Sequence, residues 1–447
     1  MKKFNLKITY KSSLVLALLS IPLIISLQLP FILTILAIIF SLIFFIGINW
    51  PKIGLFCFIF LRPAVDFLYQ YRLNSDPPLN FTSLFAILAI IFCLVVFYEN
   101  YRQFPKIKSS FTWMFLIFIG ILSFFYTINQ TATLDELLRL ISIFLLFISS
   151  YLLLKDTGDL TNLIRIIIFS SIIPVALGFW QLANETGLME DGQNRIFGTF
   201  AHPNMLAYFL ILPITLSTFA ALNLGKKRVE SYAYALISLI LVIVLAFTYT
   251  RGAYVALALI LAIIGLAKFR GFLLISTIFG IIIYLSLPPI QARVNSLLNF
   301  DPYGSIGWRI RLWTDGFSYF KENPWTGNGL GTGPMVIAEN RDFKLGATEP
   351  HNDYLKLGLE LGFPGVAAYL AIIISALLDF YYSFKKQLKP RLKILTLFAS
   401  ACLISLAIMS FGDNILNDTA LQWSLWVLFG AILVNNHRTN QKLEIKN

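Results

Sequence analysis

Long apolar runs separated by short polar breaks make up most of this 447-residue chain. A helix needs about 20 apolar residues to cross the hydrocarbon core of a bilayer. We identify fourteen candidate spans on this criterion, at about 13–29, 31–48, 52–69, 81–98, 111–126, 134–154, 161–183, 204–224, 231–249, 251–268, 271–287, 354–379, 391–411 and 418–435. Pro22, Pro30, Pro51 and Pro63 interrupt the first three, and a hairpin or re-entrant pair there would give twelve. The pattern predicts an all-α polytopic membrane protein with 12–14 transmembrane helices.

One apolar run is too long for a single span. From Tyr232 to Ala267 the chain has hardly any polar residue outside 248–252. A single helix of this length would measure about 54 Å, whereas the hydrocarbon core is about 30 Å thick. We therefore expect a break in "TYTRGAY", where Arg251 reaches the water interface and Gly252 turns the chain.

The distribution of Lys and Arg predicts the orientation of these spans. With the N-terminus in the cytoplasm, 22 of the 35 basic residues fall in cytoplasmic segments, which are 1–12, 49–52, 99–110, 155–160, 225–230, 268–270, 380–393 and the tail after 435. The long outer loop, 288–350, has six basic and six acidic residues. This skew accounts for the net charge of +12 without a nucleic-acid partner. A chain that is 57% hydrophobic and only 13% charged also leaves no room for a large soluble domain.

The predicted topology divides the chain into five parts. They are N-terminal transmembrane helices (1–130), central transmembrane helices (131–287), a periplasmic loop with an amphipathic helix (288–350), C-terminal transmembrane helices (351–435) and a cytoplasmic tail (436–447). The N-terminal lysines and apolar run resemble a signal peptide, but no small-residue cleavage site follows them. We therefore expect a retained first helix.

The long outer loop contains "SIGWRIRLWTDGFSYF", which has helical periodicity. Apolar residues recur at spacings of four, three, four and three, namely Ile306, Ile310, Trp313, Phe317 and Phe320. We expect an amphipathic helix that Ser305 caps and that lies flat on the membrane interface. Arg309 and Arg311 are two residues apart and diverge by about 200° on such a helix. They cannot both point at one ligand.

Three arginines on the predicted outer face are candidate anion ligands. Arg251 at the helix break and Arg309 on the loop helix carry donors that suit phosphate. Arg195 precedes "IFGTFAHPN", in which Pro203 marks the start of a helix and gives His202 a mainly structural interpretation. Each arginine also has a structural alternative, which is a boundary, interfacial or turn charge that reaches headgroups or water.

The stretch "ATEPHNDYLKLGLELGFPG" is unusually polar for a segment at the start of an apolar run. His351 and Asn352 fit the start of a helix, and His351 is either a capping residue or a general base. Glu349 is placed to orient it. Lys356 and Glu360 are four residues apart and can pair, which lowers the cost of carrying charge into the bundle.

Two other motif classes are rejected. The glycine-rich "GNGLGTG" (327–333) has no strand–loop–helix unit around it, so it indicates a hinge or tight loop rather than a dinucleotide site. No His, Cys or carboxylate group has metal-ligand spacing, and no DxD-type pair faces outward. A metal-dependent sugar-nucleotide transferase is therefore not expected.

Four segments together resemble a known family. In order, "RIFGTFAHPNMLAYFL", "TYTRGAYVA", "WRIRLWTDGFSYFKENPWTGNGLGTG" and "PHNDYLKLGLELGFPG" resemble the signature segments of the O-antigen ligase and O-antigen polymerase superfamily, over roughly 160–435. The resemblance implies a GT-C-type membrane glycosyltransferase at the periplasmic face of a bacterial inner membrane. Such an enzyme moves a glycan from undecaprenyl pyrophosphate to an acceptor hydroxyl, with inversion and without metal or cofactor. The acceptor is lipid A–core in the ligases and another lipid-linked glycan in the polymerases.

The resemblance also implies roles for individual residues. The catalytic residues it implies are Arg251, Arg309 and His351. Separately from the resemblance, we expect Arg195, Arg311, Asn352 and Glu360 to bind substrate, although the family pattern does not require a basic residue at position 311. The expected partners are the undecaprenyl-pyrophosphate-linked glycan, the acceptor and membrane lipids. A transporter of a small anion such as bicarbonate stays open as a second alternative, although transporters commonly show repeated halves and polar sites at the midplane.

Overall fold

The computed structural model describes residues 31–70, 81–190, 192–225, 227–298, 302, 304–340, 348–387 and 389–444. The predicted span at 13–29 lies outside the described residues. α-Helices make up most of the rest: α1 Phe31–Asn49, α2 Pro51–Val65, α3 Phe81–Asn100, α4 Lys108–Ser123, α5 Gln130–Leu153, α6 Thr157–Phe169, α7 Ile172–Ala183, α8 Pro203–Asn223, α9 Arg228–Phe247, α10 Arg251–Ala267, α11 Arg270–Ser286, α12 Pro288–Leu298, α13 Ser305–Phe320, α14 Gly333–Asn340, α15 Asp353–Lys386, α16 Pro390–Met409 and α17 Thr419–Glu444.

The chain is an all-α polytopic membrane protein, as predicted. Every predicted span from 31–48 onward coincides with a helix or, at 161–183, with the broken pair α6 and α7. Within the described residues, seven helices are long and apolar enough to cross a bilayer. The number becomes eight if α11 and α12, which are bent by 106° relative to each other, form one broken span.

A central core of buried side chains holds the bundle together. α8 is buried over most of its length, and α17 packs against α5 through aromatic side chains such as Trp426 and Phe147. By contrast, α11 has no buried residue and turns its apolar surface outward. In a protein of this composition, such a surface is suited to lipid contact.

A short antiparallel hairpin, which the sequence did not predict, lies between α7 and α8. β1 (Leu188–Glu190) pairs with β2 (Gln193–Arg195) with Leu188 opposite Arg195. The two strands have three residues each, so they are too short for a periodic signal. They fix Arg195 beside the start of α8.

The predicted break in the apolar run from Tyr232 to Ala267 is confirmed, but Gly252 is not the turning residue. α9 ends at Phe247, and Tyr249 makes the turn with φ of +50°. Gly252 is already helical. A Cβ at Gly252 would lie 2.1 Å from the Tyr208 hydroxyl, so glycine is required here for close packing.

The loop helix α13 forms where the sequence predicted it, with a different cap and packing face. Its N-cap is Gly304 rather than Ser305. Leu312, Gly316 and Phe320 are the buried side of the helix, which packs against α15 and α14. The apolar face predicted for the membrane interface is only partly exposed, since Phe320 belongs to this packing.

α15 is two helical segments joined at Gly362, which has φ of +66°. A Cβ there would lie 2.6 Å from the Pro324 carbonyl oxygen, and Phe363 donates a backbone hydrogen bond of 2.8 Å to that oxygen. The glycine loop 327–333 packs tightly against the first segment, where the Gly329 N–H bonds to the Glu360 carbonyl oxygen at 2.9 Å. The loop is therefore tight and structural.

Candidate functional site

A cavity of about 310 Å³ lies where α8, α10, α12 and α13 meet the β1–β2 hairpin and the loops that contain Tyr249, His351 and Asp413. Its lining residues are Glu190, Arg195, His202, Asn204, Tyr208, Tyr249, Thr250, Arg251, Gly252, Arg293, Ser305, Trp308, Arg309, His351 and Asp413. Four arginines and two carboxylates give 4 − 2 = +2 with both histidines neutral. We call it the arginine cavity, and its charge favours an anionic ligand.

Arg251 and Arg309, which the sequence singled out, both line this cavity. Arg251 donates to the Ser305 hydroxyl at the start of α13. Arg309 lies one helical turn further along and donates to the Gly412 carbonyl oxygen at 2.6 Å. Both guanidinium groups are therefore held by neighbouring elements, which fixes the positive charge before any ligand binds.

His351 lines the same cavity and pairs with an aspartate. Its Nδ1 lies 3.0 Å from Asp413 Oδ1, and its ring packs edge-on against Trp308. If Nδ1–H donates to the carboxylate, Nε2 is left unprotonated and able to accept a proton. Trp313 contributes from α13, because its indole N–H donates to the Pro350 carbonyl oxygen at 2.9 Å, directly before His351.

Asp413 is the residue that organises this pair. Oδ1 also accepts from the Asn414 N–H at 3.0 Å, and Oδ2 accepts from Asn204 at 2.6 Å. Arg309 Nη2 lies 3.8 Å from Oδ2. Burial raises the pKa of Asp413, but the hydrogen bond from His351 and the charge of Arg309 outweigh burial and lower the pKa to about 2. The carboxylate therefore stays ionised at neutral pH.

The expectation that Glu349 orients His351 is wrong in this structure. Glu349 Oε2 accepts from the Asn414 side chain at 2.8 Å instead of contacting His351. It supports the Asp413 loop from its far side. The orienting carboxylate for His351 is Asp413, which lies 62 residues away in sequence.

Arg195 lines the cavity, but its guanidinium group donates hydrogen bonds to other residues of the protein. It is 5% exposed and bonds to the Thr248 carbonyl oxygen at 2.8 Å, to Asn204 Oδ1 at 2.8 Å and to Glu190. Burial lowers the pKa of Arg195, and the Glu190 charge opposes this effect. These contacts tie the hairpin, the start of α8 and the α9–α10 break together, so Arg195 shapes the cavity.

His202 acts as the N-cap of α8. Its Nδ1 accepts from the Asn204 N–H at 3.1 Å, as the structural interpretation of "HPN" expects. Burial, followed by the nearby Arg195 charge, lowers the pKa of His202. Both effects keep His202 neutral while it lines the cavity.

Backbone strain is concentrated at this site. Among the described residues, the non-glycine residues with positive φ are Glu185, Tyr249 and His351, at +53°, +50° and +48°. Tyr249 and His351 both line the arginine cavity. A left-handed conformation in a non-glycine residue costs about 1–3 kcal/mol and is retained where the surroundings impose it.

Three residues expected to bind substrate do not line the cavity. Arg311 is exposed and donates to the Pro302 carbonyl oxygen, which fits its predicted divergence from Arg309. Asn352 caps α15 by accepting from the Leu355 N–H at 3.0 Å. Glu360 is fully buried, where its Oε1 accepts from the Gly333 N–H at 3.2 Å. These side chains serve local structure, so they are not part of the arginine cavity.

Sequence reasoning missed Asp413, Arg293 and Glu190. Asp413 lies between the predicted spans 391–411 and 418–435, and an acidic residue in such a short outer turn was the available signal. Arg293 lies on α12, part of the long loop for which only α13 was predicted. Glu190 lies on the unpredicted hairpin. No group of three or more His, Cys, Asp or Glu that could hold a metal ion occurs within the described residues.

Comparison with known proteins finds one family model that matches part of the chain. Residues 236–370 match the family model Wzy_C, described as O-Antigen ligase. A comparison with curated proteins finds no match. The matched stretch is narrower than the resemblance seen in the sequence. It includes Arg251, Arg309 and His351, and it leaves Arg195 and Asp413 outside.

Proposed function

We propose that this protein transfers a glycan from undecaprenyl pyrophosphate to an acceptor hydroxyl. The match of residues 236–370 to the family model described as O-Antigen ligase supports this proposal. The reaction takes place at the periplasmic face of a bacterial inner membrane. The observation that supports this proposal best is the arginine cavity, which places Arg251 and Arg309 around the same space as the His351–Asp413 pair. A cationic pocket beside a base suits this reaction.

The base acts on the acceptor. The acceptor O–H gives its proton to His351 Nε2, while its oxygen forms the new bond to the anomeric carbon. The proton stays on the imidazole, and the Asp413 carboxylate stabilises the resulting cation. A positioned general base contributes about 10²–10⁴-fold in rate. Attack opposite to the leaving group inverts the anomeric centre.

The arginines act on the donor. As the bond between the anomeric carbon and the pyrophosphate oxygen breaks, negative charge collects on the leaving group. Guanidinium groups fixed in advance, such as Arg251 and Arg309, stabilise this charge without reorganising. Pyrophosphate needs no proton to leave at neutral pH. Arginines therefore supply the charge that a metal ion supplies in other glycosyl transferases, and the reaction proceeds without metal.

The acceptor class is decided by a transfer assay. Purified protein in lipid nanodiscs is given undecaprenyl-pyrophosphate-linked glycan with either lipid A–core or a second lipid-linked glycan, with and without a chelator. Transfer to lipid A–core identifies a ligase, and extension of the lipid-linked glycan identifies a polymerase. Absence of both reactions, together with bicarbonate uptake in proteoliposomes, would contradict the proposal and favour the transporter alternative.

One substitution of His351 can remove the imidazole and still keep the backbone conformation at this position. Asn is among the residues that adopt a left-handed φ most readily, so His351→Asn keeps the conformation that His351→Ala would strain. We expect His351→Asn to lower the transfer rate about 10²–10⁴-fold, because the base is lost. Retained transfer would refute the role of His351. His437→Asn is the matched control, because His437 lies on α17 beside Tyr151 and does not line the cavity.

A further inference from the structure

A second cavity, of about 370 Å³, lies beside the arginine cavity. Its lining residues are Arg62, Asp66, Thr82, Ser83, Ala86, Ile87, Ile90, Asp135, Leu138, Arg139, Ser142, Ala201, Met205, Asn417 and Thr419. At the start of α8, Ala201 and Met205 line this cavity, whereas His202 and Asn204 line the other. A single layer of chain therefore separates the two cavities.

The charge of this second cavity is balanced. Two arginines, Arg62 and Arg139, are matched by two carboxylates, Asp66 and Asp135, so the lining charge is 2 − 2 = 0. We therefore call it the neutral cavity. The other polar lining groups are hydroxyls and the Asn417 amide. This mixture of donors and acceptors favours an uncharged, hydroxyl-rich ligand over a phosphate.

Arg62 and Asp66, which both line the neutral cavity, each have one buried atom without a hydrogen-bond partner in the protein. Arg62 Nη1 lies 2.5 Å from Asp66 Oδ1, and the two residues are 7% and 8% exposed. Arg62 Nε and Asp66 Oδ2 are left unpaired. A buried polar atom without a partner is costly, and more so when the group is charged. Both residues line the cavity, so a ligand hydroxyl can accept a hydrogen bond from the Arg62 guanidinium and donate one to the Asp66 carboxylate.

We propose that the neutral cavity binds a sugar unit of one substrate, away from the sugar that reacts. This inference rests on the proposed transferase function. Both the donor glycan and the acceptor glycan are chains of hydroxyl-rich sugars. Either one, with its reacting end in the arginine cavity, would reach the neutral cavity around the start of α8, whose residues line both cavities.

The test replaces the ion pair with apolar side chains. Exchanging a buried ion pair for apolar residues of similar volume is often neutral for stability, so Arg62→Met combined with Asp66→Leu is expected to fold. Transfer is measured with substrates that carry either one sugar or several. We expect the KM of one long substrate to rise about 10-fold or more, because hydrogen bonds to charged groups are lost. The KM of the short form and kcat stay unchanged.

The matched control lies on the same helix. Lys52 at the other end of α2 pairs with Asp159 at 2.7 Å, outside the cavity, so Lys52→Met with Asp159→Leu should leave every KM unchanged. Ala86→Phe is an independent variant that fills the neutral cavity without removing charge. It should raise the same KM as the pair variant.

The substrate whose KM rises identifies the bound glycan as that of the donor or that of the acceptor. The inference is overturned if neither long-substrate KM changes, or if only kcat falls. A wild-type protein that transfers nothing would refute the proposed function instead. In that case, calorimetric titration with the free oligosaccharides still tests this inference, and equal binding by wild type and the pair variant would overturn it.

Discussion

At the scale of single residues, the contacts of Asp413 determine how His351 can act. Both carboxylate oxygens accept hydrogen bonds, and one of them comes from the His351 ring at 3.0 Å. Asp413→Asn can place an amide N–H against Nδ1 and force the opposite tautomer. We expect kcat/KM for transfer to fall about 100-fold or more, as a base of the wrong tautomer loses the 10²–10⁴-fold advantage of general-base catalysis.

The control for Asp413 is the other carboxylate near His351. Glu349→Gln keeps a side-chain oxygen that can accept from Asn414, so transfer should stay within a few-fold of wild type. The two variants are compared in the same nanodisc assay over a range of pH. Because the pKa of Asp413 is lowered to about 2, the folded protein keeps this charge as the pH falls through the ordinary pKa of 3.8 and loses it only near pH 2. Equal effects of the two variants would contradict the orienting role of Asp413.

The sequence predicted part of this residue-level arrangement. Arg251, Arg309 and His351 could be found because each is a charged or titratable residue beside an apolar run. Asp413 could not be assigned to His351, because hydropathy describes positions along the chain and gives no information on which turns meet. The contact depends on the loop after α16 folding back onto the start of α15.

At the scale of secondary-structure elements, the second residue of α10, Gly252, packs closely against the neighbouring helix α8. A Cβ at Gly252 would lie 2.1 Å from the Tyr208 hydroxyl on α8. We expect Gly252→Ala to destabilise the protein by about 1–3 kcal/mol, which is the usual cost of overpacking. Thermal unfolding in detergent measures this effect. Adding Tyr208→Phe removes the clashing oxygen and should restore most of the lost stability.

α11 provides the matched control for this substitution. It also begins with Arg-Gly, and a Cβ at Gly271 would meet nothing within 4 Å. Gly271→Ala should therefore be neutral or slightly stabilising, since alanine favours helix more than glycine does. If Gly252→Ala is as well tolerated as Gly271→Ala, or if Tyr208→Phe gives no rescue, the packing explanation is wrong.

Elements were predictable where apolar periodicity or length was strong. The spans from 31–48 to 418–435 and α13 all followed from such patterns. The β1–β2 hairpin, α12 and α14 did not, because each is short and its residues contact distant parts of the chain. The sequence predicted Gly252 as the turning residue, because glycine adopts a positive φ readily. Tyr249 makes the turn instead, and its positive φ is imposed by surroundings that the sequence does not reveal.

At the scale of the whole molecule, the loop between α16 and α17 joins the two cavities. Asp413 in this loop lines the arginine cavity, and Asn417 lines the neutral cavity. Asn417 Oδ1 accepts from Arg139 on α5 at 3.0 Å and from Lys356 on α15 at 2.7 Å. The loop is therefore anchored to both helices, and the same segment lines both cavities.

Lys356 is the centre of that anchor. It is 3% exposed, its Nζ lies 2.9 Å from Glu136 Oε1, and Glu360 Oε1 is 3.9 Å away. Lys356→Met would leave Glu360 buried without a cation. Breaking one side of a buried ion pair costs about 3–5 kcal/mol, so we expect a large fall in the thermal unfolding temperature.

The paired variant separates charge balance from packing in this network. Lys356→Met combined with Glu360→Gln removes the uncompensated charge while it keeps the hydrogen bond that the Glu360 side chain accepts from Gly333. Stability should therefore recover by more than half. Because Glu136 keeps Arg139 as a partner at 2.7 Å, it needs no second substitution. If the double variant unfolds as readily as Lys356→Met alone, the cost lies in lost packing around α15 and the charge network does not stabilise the loop.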